Sequence, residues 1–169
     1  MKSIVAPLSL LLAASAFTPA GAAETKTVTD QPFGDWVLHC TALHGGEQAC
    51  ALHQKVMAKD TRLPVAAFTL ARNKDSRGLR LAAVLPLGLD VPAGVSGRVG
   101  TTPLPFTVQT CVRRGCIASA TVDEKTLEAL RGADSLSVTF KMRIVADPTT
   151  IPVSLKGLDA GLKALDAKG

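Results

Sequence analysis

Short runs of apolar residues alternate with turn-forming residues along most of the chain. The turn signals include Gly45-Gly46, Pro86-Leu87-Gly88 and Asp147-Pro148. Strands that are this short and this regularly interrupted are typical of a β-sandwich or a β-barrel, whereas parallel sheets need a helix between strands. The pattern therefore predicts an all-β, antiparallel fold.

The clearest alternation covers residues 135–145, where apolar residues occupy every second position and polar residues the positions between. One face of a strand over this range would be buried and the other solvated. We expect a single half-buried strand with an apolar face formed by Leu136, Val138, Phe140, Met142 and Ile144.

Shorter patterns of the same kind predict eight further strands and two helices. Asp123 would cap the first helix, and Leu158 and Leu162 begin an apolar stripe on the second. Trp36 and Phe140 are in phase with apolar neighbours, which predicts core positions for both. The strands are expected at 36–42, 50–57, 64–72, 78–85, 95–99, 104–112, 116–122 and 151–155, and the helices at 124–131 and 158–167.

The first residues have the pattern of a secretory signal peptide. Lys2 supplies the positive start, residues 4–17 are mostly apolar, and small residues at 19–23 suit a signal peptidase. The alternative is a membrane anchor, but this run is shorter than the about 20 residues needed to cross a bilayer. We expect residues 1–23 to be the signal peptide, residues 24–32 a flexible lead-in, and residues 33–169 a single domain.

Export to an oxidising compartment makes an even number of cysteines a signal for disulfides. The four cysteines form two pairs that are close in sequence, Cys40 with Cys50 and Cys111 with Cys116. Three connectivities are possible, and we favour the local one because a hairpin or tight loop can close each pair. The nine residues between Cys40 and Cys50 are too many for a zinc knuckle, and no Cys-x-x-Cys is present for thiol redox chemistry.

Charge and composition narrow the classes of function. The 19 basic and 14 acidic residues are scattered, without the basic stripe or interleaved aromatic residues of a nucleic-acid-binding surface. No Gly-x-Ser-x-Gly nucleophile motif occurs, and a chain without tyrosine and with one tryptophan is poorly suited to a sugar-binding groove. We expect a protein that is not an enzyme, has no cofactor, binds no nucleic acid and keeps no transmembrane segment after signal cleavage.

Two histidines raise the question of a metal site. A disulfide between Cys40 and Cys50 would place His39 and His53 on one face of the first hairpin, opposite Trp36. Such a pair of imidazoles could bind copper or zinc. Because no acidic residue is in phase to complete a site, we favour surface histidines on a solvated face and keep the metal site as the alternative.

The turn inside the second cysteine pair is basic. Arg113 and Arg114 precede Gly115, which can adopt the positive φ that a tight loop needs. The two guanidinium groups would project into water and could contact an acidic protein or lipid headgroups. An ordinary solvated turn is the alternative, and the sequence favours it.

Several short motifs, taken in order, resemble the invasion-associated locus B family of exported bacterial proteins. They cover nearly the whole chain from Phe33 onwards. The motifs are Phe33-Gly34-Asp35-Trp36 followed by Cys40; Cys50 with Leu52 and Gln54; Pro86-Leu87-Gly88-Leu89; Pro105-Phe106 leading into Cys111; Gly115-Cys116-Ile117-Ala118; and Val153-Ser154-Leu155-Lys156-Gly157-Leu158.

The resemblance implies an immunoglobulin-like antiparallel β-sandwich and a periplasmic or outer-surface location. For the named members of the family it also implies a part in the entry of a bacterium into host cells. No catalytic motif comes with the family, and only the four cysteines carry over, as structural residues. The match to a true antibody domain is incomplete, since Trp36 precedes Cys40 and no tyrosine is present for the corner motif.

The residues and the resemblance together predict an exported, non-enzymatic protein that binds a protein partner in the envelope or on a host cell. One alternative is a periplasmic accessory or assembly subunit of a larger envelope complex. Another is a periplasmic metal binder that uses His39 and His53. A peripheral contact with a membrane through Arg113 and Arg114 is compatible with each.

Overall fold

The structure is a computed structural model that describes residues 28–73 and 78–168. The signal peptide predicted over residues 1–23 lies outside the described residues. The strands and α-helices in chain order are β1 Val28–Phe33, β2 Trp36–Ala42, β3 Gln48–Met57, β4 Pro64–Arg72, β5 Leu79–Leu85, β6 Val95–Val99, β7 Thr102–Val112, β8 Gly115–Val122, α1 Glu124–Gly132, β9 Ser135–Phe140, β10 Thr149–Ser154 and α2 Leu158–Asp166.

The ten strands form one antiparallel sheet in the order β1-β2-β3-β4-β5-β8-β7-β6-β9-β10. β7 is long enough to serve two neighbours: Phe106 in its first half lies opposite Val95 of β6, and Thr107 in its second half lies opposite Ser119 of β8. The sheet folds over at β7, so that one core lies between two layers. The all-β antiparallel fold with two short helices is therefore confirmed.

The core is mainly aliphatic and draws on both layers. Phe68 and Leu81 come from one layer, and Val138 and Val153 come from the other. The helix α2 packs on β2 and β3. Gly161 allows this close approach, because a Cβ at that position would lie 2.7 Å from Cδ2 of Leu52.

The predicted cap of α1 is present. Asp123 Oδ1 accepts a hydrogen bond of 2.8 Å from the backbone N–H of Thr126. Hydrogen bonding by the side chain and the backbone of Thr126 holds the pKa of the Asp123 carboxyl below its usual value. The cap therefore satisfies a free N–H group of the first helical turn and favours the charged carboxylate.

The C-terminal part of the chain covers the turn between β1 and β2. Asp35 N donates to Lys156 O at 3.1 Å, and Ser154 Oγ donates to Asp35 Oδ2 at 2.6 Å. The buried side chains of Trp36 and Gln54 both donate to Ser154 O, at 2.9 and 3.0 Å. These bonds join β2 and β3 to the end of β10, the last strand, and so hold the two layers together.

Two glycines make this contact possible. A Cβ at Gly34 would lie 2.5 Å from Lys156 O, and a Cβ at Gly157 would lie 2.1 Å from Phe33 O. Both glycines have a positive φ, which other residues rarely adopt. We call residues 34–36 and 154–157 together the covered turn.

The domain begins earlier than the sequence predicts. A flexible lead-in is expected over residues 24–32, but residues 28–32 belong to β1. Each residue of β1 pairs with β2, from Val28 opposite Thr41 to Phe33 opposite Trp36. Residues 29–32 are exposed, so backbone pairing at the edge of the sheet forms this strand without a buried apolar face.

The strand predicted over residues 135–145 is wrong in its second half. β9 ends at Phe140, which lies opposite Val95 of β6 on one side and Thr149 of β10 on the other. These are the first residues of both neighbouring strands, so the sheet ends here, and Met142 beyond it forms only an isolated bridge with Leu89. Ile144 was expected on the buried face and is instead 94% exposed.

The other predicted strands and helices are confirmed to within two residues at each end. Trp36 and Phe140 are both buried in the core, as predicted. Both local disulfides are also present: Cys40–Cys50 joins β2 to β3, and Cys111–Cys116 joins β7 to β8. The cysteines of each pair are directly opposite one another in the sheet, so each bond closes a hairpin.

Candidate functional site

A groove of about 500 Å³ lies on the outer face of β1, β2 and β3. The outer positions of β2, Val37 and His39, alternate with the buried positions Trp36 and Leu38. Six of the seven residues that line the groove are polar or charged, and they include both signs of charge. Its lining residues are Asp30, Asp35, Val37, His39, His53, Gln54 and Lys55.

An acidic residue orients the first histidine of the groove. β1 places Asp30 directly opposite His39 of β2, and Asp30 Oδ1 lies 2.6 Å from His39 Nδ1. The other ring nitrogen, His39 Nε2, lies 3.4 Å from Thr41 Oγ1. Because both side chains are well exposed, the main effect of this hydrogen bond is to fix the direction of the imidazole.

His53 lies diagonally across from His39, since it is paired with Val37 in the sheet. The two imidazole centroids are 5.7 Å apart and the ring planes are perpendicular. His53 Nδ1 also lies 3.0 Å from Thr69 Oγ1 of β4. Burial, followed by the neighbouring His39, lowers the pKa of His53, and the charge of Asp30 opposes the shift. The His53 imidazole therefore stays neutral to a lower pH than a free histidine.

The sequence correctly places both histidines on one face but misses their acidic partner. When residues 24–32 are interpreted as a lead-in, no acidic residue is in phase with the two histidines. The register of β1 brings Asp30 to the histidines. The signal that could have identified it is the two-residue connection Gly34-Asp35, a composition that suits a tight hairpin turn before residue 36.

Asp30, His39 and Thr41 have the order of carboxylate, imidazole and hydroxyl that nucleophilic catalysts use. The hydroxyl lies 3.4 Å from Nε2, which is longer than the about 2.6 to 3.2 Å at which a base activates a nucleophile. Thr41 is also paired on both sides, with Val28 and with Ala49, so the nearby backbone N–H groups serve the sheet. Those groups are not free to stabilise an oxyanion.

The residues of the groove also determine which ligands a metal ion could find there. Within residues 28–73 and 78–168, no group of three His, Cys, Asp or Glu side chains has a geometry that could hold a metal ion. An ion bound here would take its protein ligands from the two imidazoles of His39 and His53, with water completing its coordination. Asp30 would then act as the hydrogen-bond acceptor that orients one ligand.

The arginine turn lies away from the groove, between β7 and β8. Arg113 and Arg114 are exposed, and the pair Val112 and Gly115 closes the turn. Gly115 has a φ of +140°, and a Cβ there would lie 2.4 Å from Leu85 O of the neighbouring strand. Gly115 therefore has the predicted positive φ, and its lack of a Cβ lets the turn lie against the end of β5.

None of the helices in the described part of the chain is long and apolar enough to cross a membrane. The chain is thus an antiparallel β-protein with two disulfide-closed hairpins and a groove lined by charged and polar residues. The family model of the Invasion associated locus B (IalB) protein matches residues 36–166, and the chain belongs to this family.

Relatives with related names extend this assignment. The chain is similar to the Invasion protein B homologs of Brucella abortus strain 2308 and of Brucella abortus biovar 1 strain 9-941. Each is 29% identical to it over 161 residues, which is 95% of this chain and 90% of the relative. The crystal structure of invasion associated protein B from Bartonella henselae has the same fold, with a TM-score of 0.74, 24% identity, and coverage of 82% of this chain and 95% of that one.

Proposed function

We propose that the chain is an exported, non-enzymatic protein that binds a protein partner in the bacterial envelope or on a host cell. Membership of the family supports export, and two disulfides are typical of the periplasm or the cell exterior. The relatives are named for invasion, which supports a partner on a host cell.

The observation that carries this proposal is the polar groove on β1, β2 and β3. Its side chains are held in place before binding: Asp30 orients His39, and Thr69 contacts His53. Lys55 adds an exposed positive charge at the edge of the groove. A surface with fixed groups of both charges can pair with the charges of a partner and exclude the wrong partners.

Site-specific crosslinking in intact cells tests the proposal. A photoreactive amino acid would replace Lys55 in the groove, and the control would replace Glu128, which is exposed on α1. We expect one protein to crosslink from position 55 and not from position 128. Equal capture from both positions, or no capture from position 55, would contradict the groove as the binding surface.

A double variant shows whether the oriented charges matter. Asp30→Ala with His39→Ala removes the ion pair of the groove and should lower the yield of the crosslink from position 55. The matched control is Arg131→Ala with Asp159→Ala, an exposed ion pair between α1 and α2. Equal loss in both double variants would mean that the effect is not specific to the groove.

The identity of the crosslinked protein separates two versions of the function. A host-cell protein, captured only when host cells are present, supports a role in invasion. An envelope protein captured without host cells supports the accessory or assembly subunit, and deletion of the chain should then lower the level of that envelope complex.

The perpendicular imidazoles of His39 and His53 support metal binding as a second candidate function. A bound ion stabilises the folded state, so copper or zinc should raise the melting temperature of the protein. His39→Ala should remove this rise, and Asp30→Asn should weaken it. No change in melting temperature at stoichiometric metal would exclude this candidate.

A further inference from the structure

Exposed apolar side chains are concentrated at one part of the molecule. Eight large hydrophobic side chains are exposed among the described residues, and seven of them lie in or beside four connections between strands. Ile144 is 94% exposed and Leu63 is 63% exposed. The seven are Met57, Leu63, Leu87, Val91, Val112, Ile144 and Val145.

The register of the sheet brings three of these connections side by side. The connection from β3 to β4 follows the pair Met57 and Pro64, and β5 ends at Leu85, which lies opposite Cys116 at the start of β8. β4, β5 and β8 are neighbouring strands, and neighbouring strands lie about 5 Å apart. The connections at this end of the strands are therefore close to one another.

Hydrogen bonds attach the fourth connection to this group. Asp90 N donates to Lys141 O at 2.8 Å, and Arg143 N donates to Gly88 O at 2.9 Å. The segment after β9 is thereby fixed to the loop after β5, with Ile144 at its tip. We call residues 57–63, 86–94, 112–115 and 141–147 together the exposed edge.

The exposed edge is also positively charged. It carries six basic and three acidic residues, whereas the rest of the described chain carries nine of each. The positive excess of the described residues is therefore located at this edge. The basic residues are Lys59, Arg62, Arg113, Arg114, Lys141 and Arg143, and the acidic residues are Asp60, Asp90 and Asp147.

We propose that the exposed edge docks on the surface of an anionic lipid membrane. Apolar side chains that enter the headgroup region and basic side chains that pair with lipid phosphates are the two contributions that hold a protein on such a surface. Here both occur together, because Leu63 follows Arg62, Val112 precedes Arg113, and Ile144 follows Arg143.

This arrangement favours lipid over a protein as the occupant. The centre of a protein interface is a continuous apolar patch from which charged residues are depleted. At the exposed edge, the apolar residues Leu63, Val112 and Ile144 each have a basic residue beside them in sequence and lie on three separate connections. A fluid lipid surface accepts separate tips without a matching shape. The inference uses a surface other than the groove and does not depend on the proposed function.

Vesicle sedimentation tests the proposal with the purified protein. We expect binding to vesicles of phosphatidylcholine mixed with an equal amount of phosphatidylglycerol, little binding to phosphatidylcholine alone, and weaker binding as salt screens the charges. Leu87→Ser with Ile144→Ser should reduce the partition coefficient by about tenfold or more. The matched control is Leu43→Ser, which changes the one exposed large hydrophobic residue found elsewhere in the described chain and should keep full binding.

Charge reversal gives a second, independent variant. Arg113→Glu with Arg114→Glu should weaken binding to anionic vesicles by about tenfold or more. Arg80→Glu with Arg98→Glu changes the net charge equally at exposed positions outside the edge and should have a much smaller effect. Circular dichroism and the melting temperature should show that all four variants fold.

Three results would overturn the proposal. The first is no binding of the unchanged protein to anionic vesicles, and the second is equal loss of binding in the edge variants and their controls. The third is unchanged vesicle binding in the variant with Leu87→Ser and Ile144→Ser, which would show that the apolar tips of the edge do not contact lipid.

Discussion

The chain reverses direction at both the covered turn and the exposed edge, but the two regions differ in how far other residues cover them. The covered turn is held by hydrogen bonds from Asp35, Trp36, Gln54 and Ser154, and the segment that leads into α2 lies over it. The exposed edge has no such cover, and seven large hydrophobic side chains there face outwards.

This difference indicates a structural role for the covered turn and a binding role for the exposed edge. Hydrogen bonds from Asp35, Trp36 and Ser154 join the two segments of the covered turn, so this region maintains the fold and supports the nearby groove. Apolar side chains at the exposed edge give up the stability that burial would supply. Groups of exposed hydrophobic residues of this kind mark interaction sites. Substitutions should therefore affect stability in the covered turn and binding at the exposed edge.

The largest loss of stability is expected at Trp36. Trp36→Ala removes a fully buried side chain of the covered turn and its bond to Ser154 O, and should lower the free energy of unfolding by about 3 to 5 kcal/mol. Trp36→Phe keeps an aromatic ring and should cost clearly less. Urea unfolding followed by circular dichroism measures both, and a cost below about 1 kcal/mol for the alanine variant would show that the covered turn does not stabilise the fold.

The same substitution at two glycines compares the two regions directly. Gly157→Ala in the covered turn should cost about 3 kcal/mol, because it combines a positive φ with a Cβ placed 2.1 Å from Phe33 O. Gly88→Ala at the exposed edge has a nearly equal φ of +89° but only an ordinary contact, with Met142 Cε at 3.5 Å, and should cost about 1 kcal/mol. Equal costs in thermal or urea unfolding would mean that only the backbone angle matters.

Removal of the disulfide at the exposed edge should have an intermediate effect. Cys111→Ser with Cys116→Ser should lower the free energy of unfolding by about 2 kcal/mol, because the bond closes a short loop. It should also weaken vesicle binding, since the arginine turn is less constrained. Cys40→Ser with Cys50→Ser opens a longer loop, should cost about 3 kcal/mol and should leave the vesicle binding of the folded fraction unchanged.

Acid should destabilise the groove through His53. The pKa of His53 is lower in the folded protein than in the unfolded chain, mainly because of burial. As the pH falls below about 6.5, the unfolded chain takes up this proton first, so the free energy of unfolding decreases. His53→Gln should reduce this pH dependence between about pH 7 and about pH 5. Urea unfolding at several pH values measures this dependence. The same change of the free energy of unfolding with pH in His53→Gln and in the unchanged protein would contradict the lowered pKa.

The smallest effect on stability is expected from the exposed apolar tips. Leu87→Ser with Ile144→Ser should change the free energy of unfolding by no more than about 0.5 kcal/mol per residue, because neither side chain is buried. The same variant should lose vesicle binding. A large loss of stability would show that these residues belong to the core and would remove the contrast with the covered turn.

The sequence predicts most of the fold because the determining signals are local. Strand 95–99 shows a clear alternation, Asp123 is a good helix cap, and each disulfide joins cysteines of one hairpin. The strand β1 has no apolar alternation and forms by pairing at the sheet edge, so its sequence carries little signal. Ile144 continues the alternation of apolar residues but lies beyond the sheet, because both neighbouring strands begin opposite Phe140.

The candidate sites depend more on long-range geometry. Asp30 meets His39 only because β1 exists, and this contact could not follow from an unpatterned lead-in. The arginine turn lies against Leu85 at the end of β5 because β8 pairs with β5, a strand distant in sequence. The sequence therefore shows that Arg113 and Arg114 form a basic turn, but it does not show that exposed apolar residues of other connections lie near this turn.

Hydrogen exchange in the presence of anionic vesicles tests the division between the two regions most directly. The account predicts that vesicles slow amide exchange in residues 86–94, 112–115 and 141–147 and leave residues 43–47 and the covered turn unchanged. Unchanged exchange at the exposed edge, or equal slowing in residues 43–47, would contradict it.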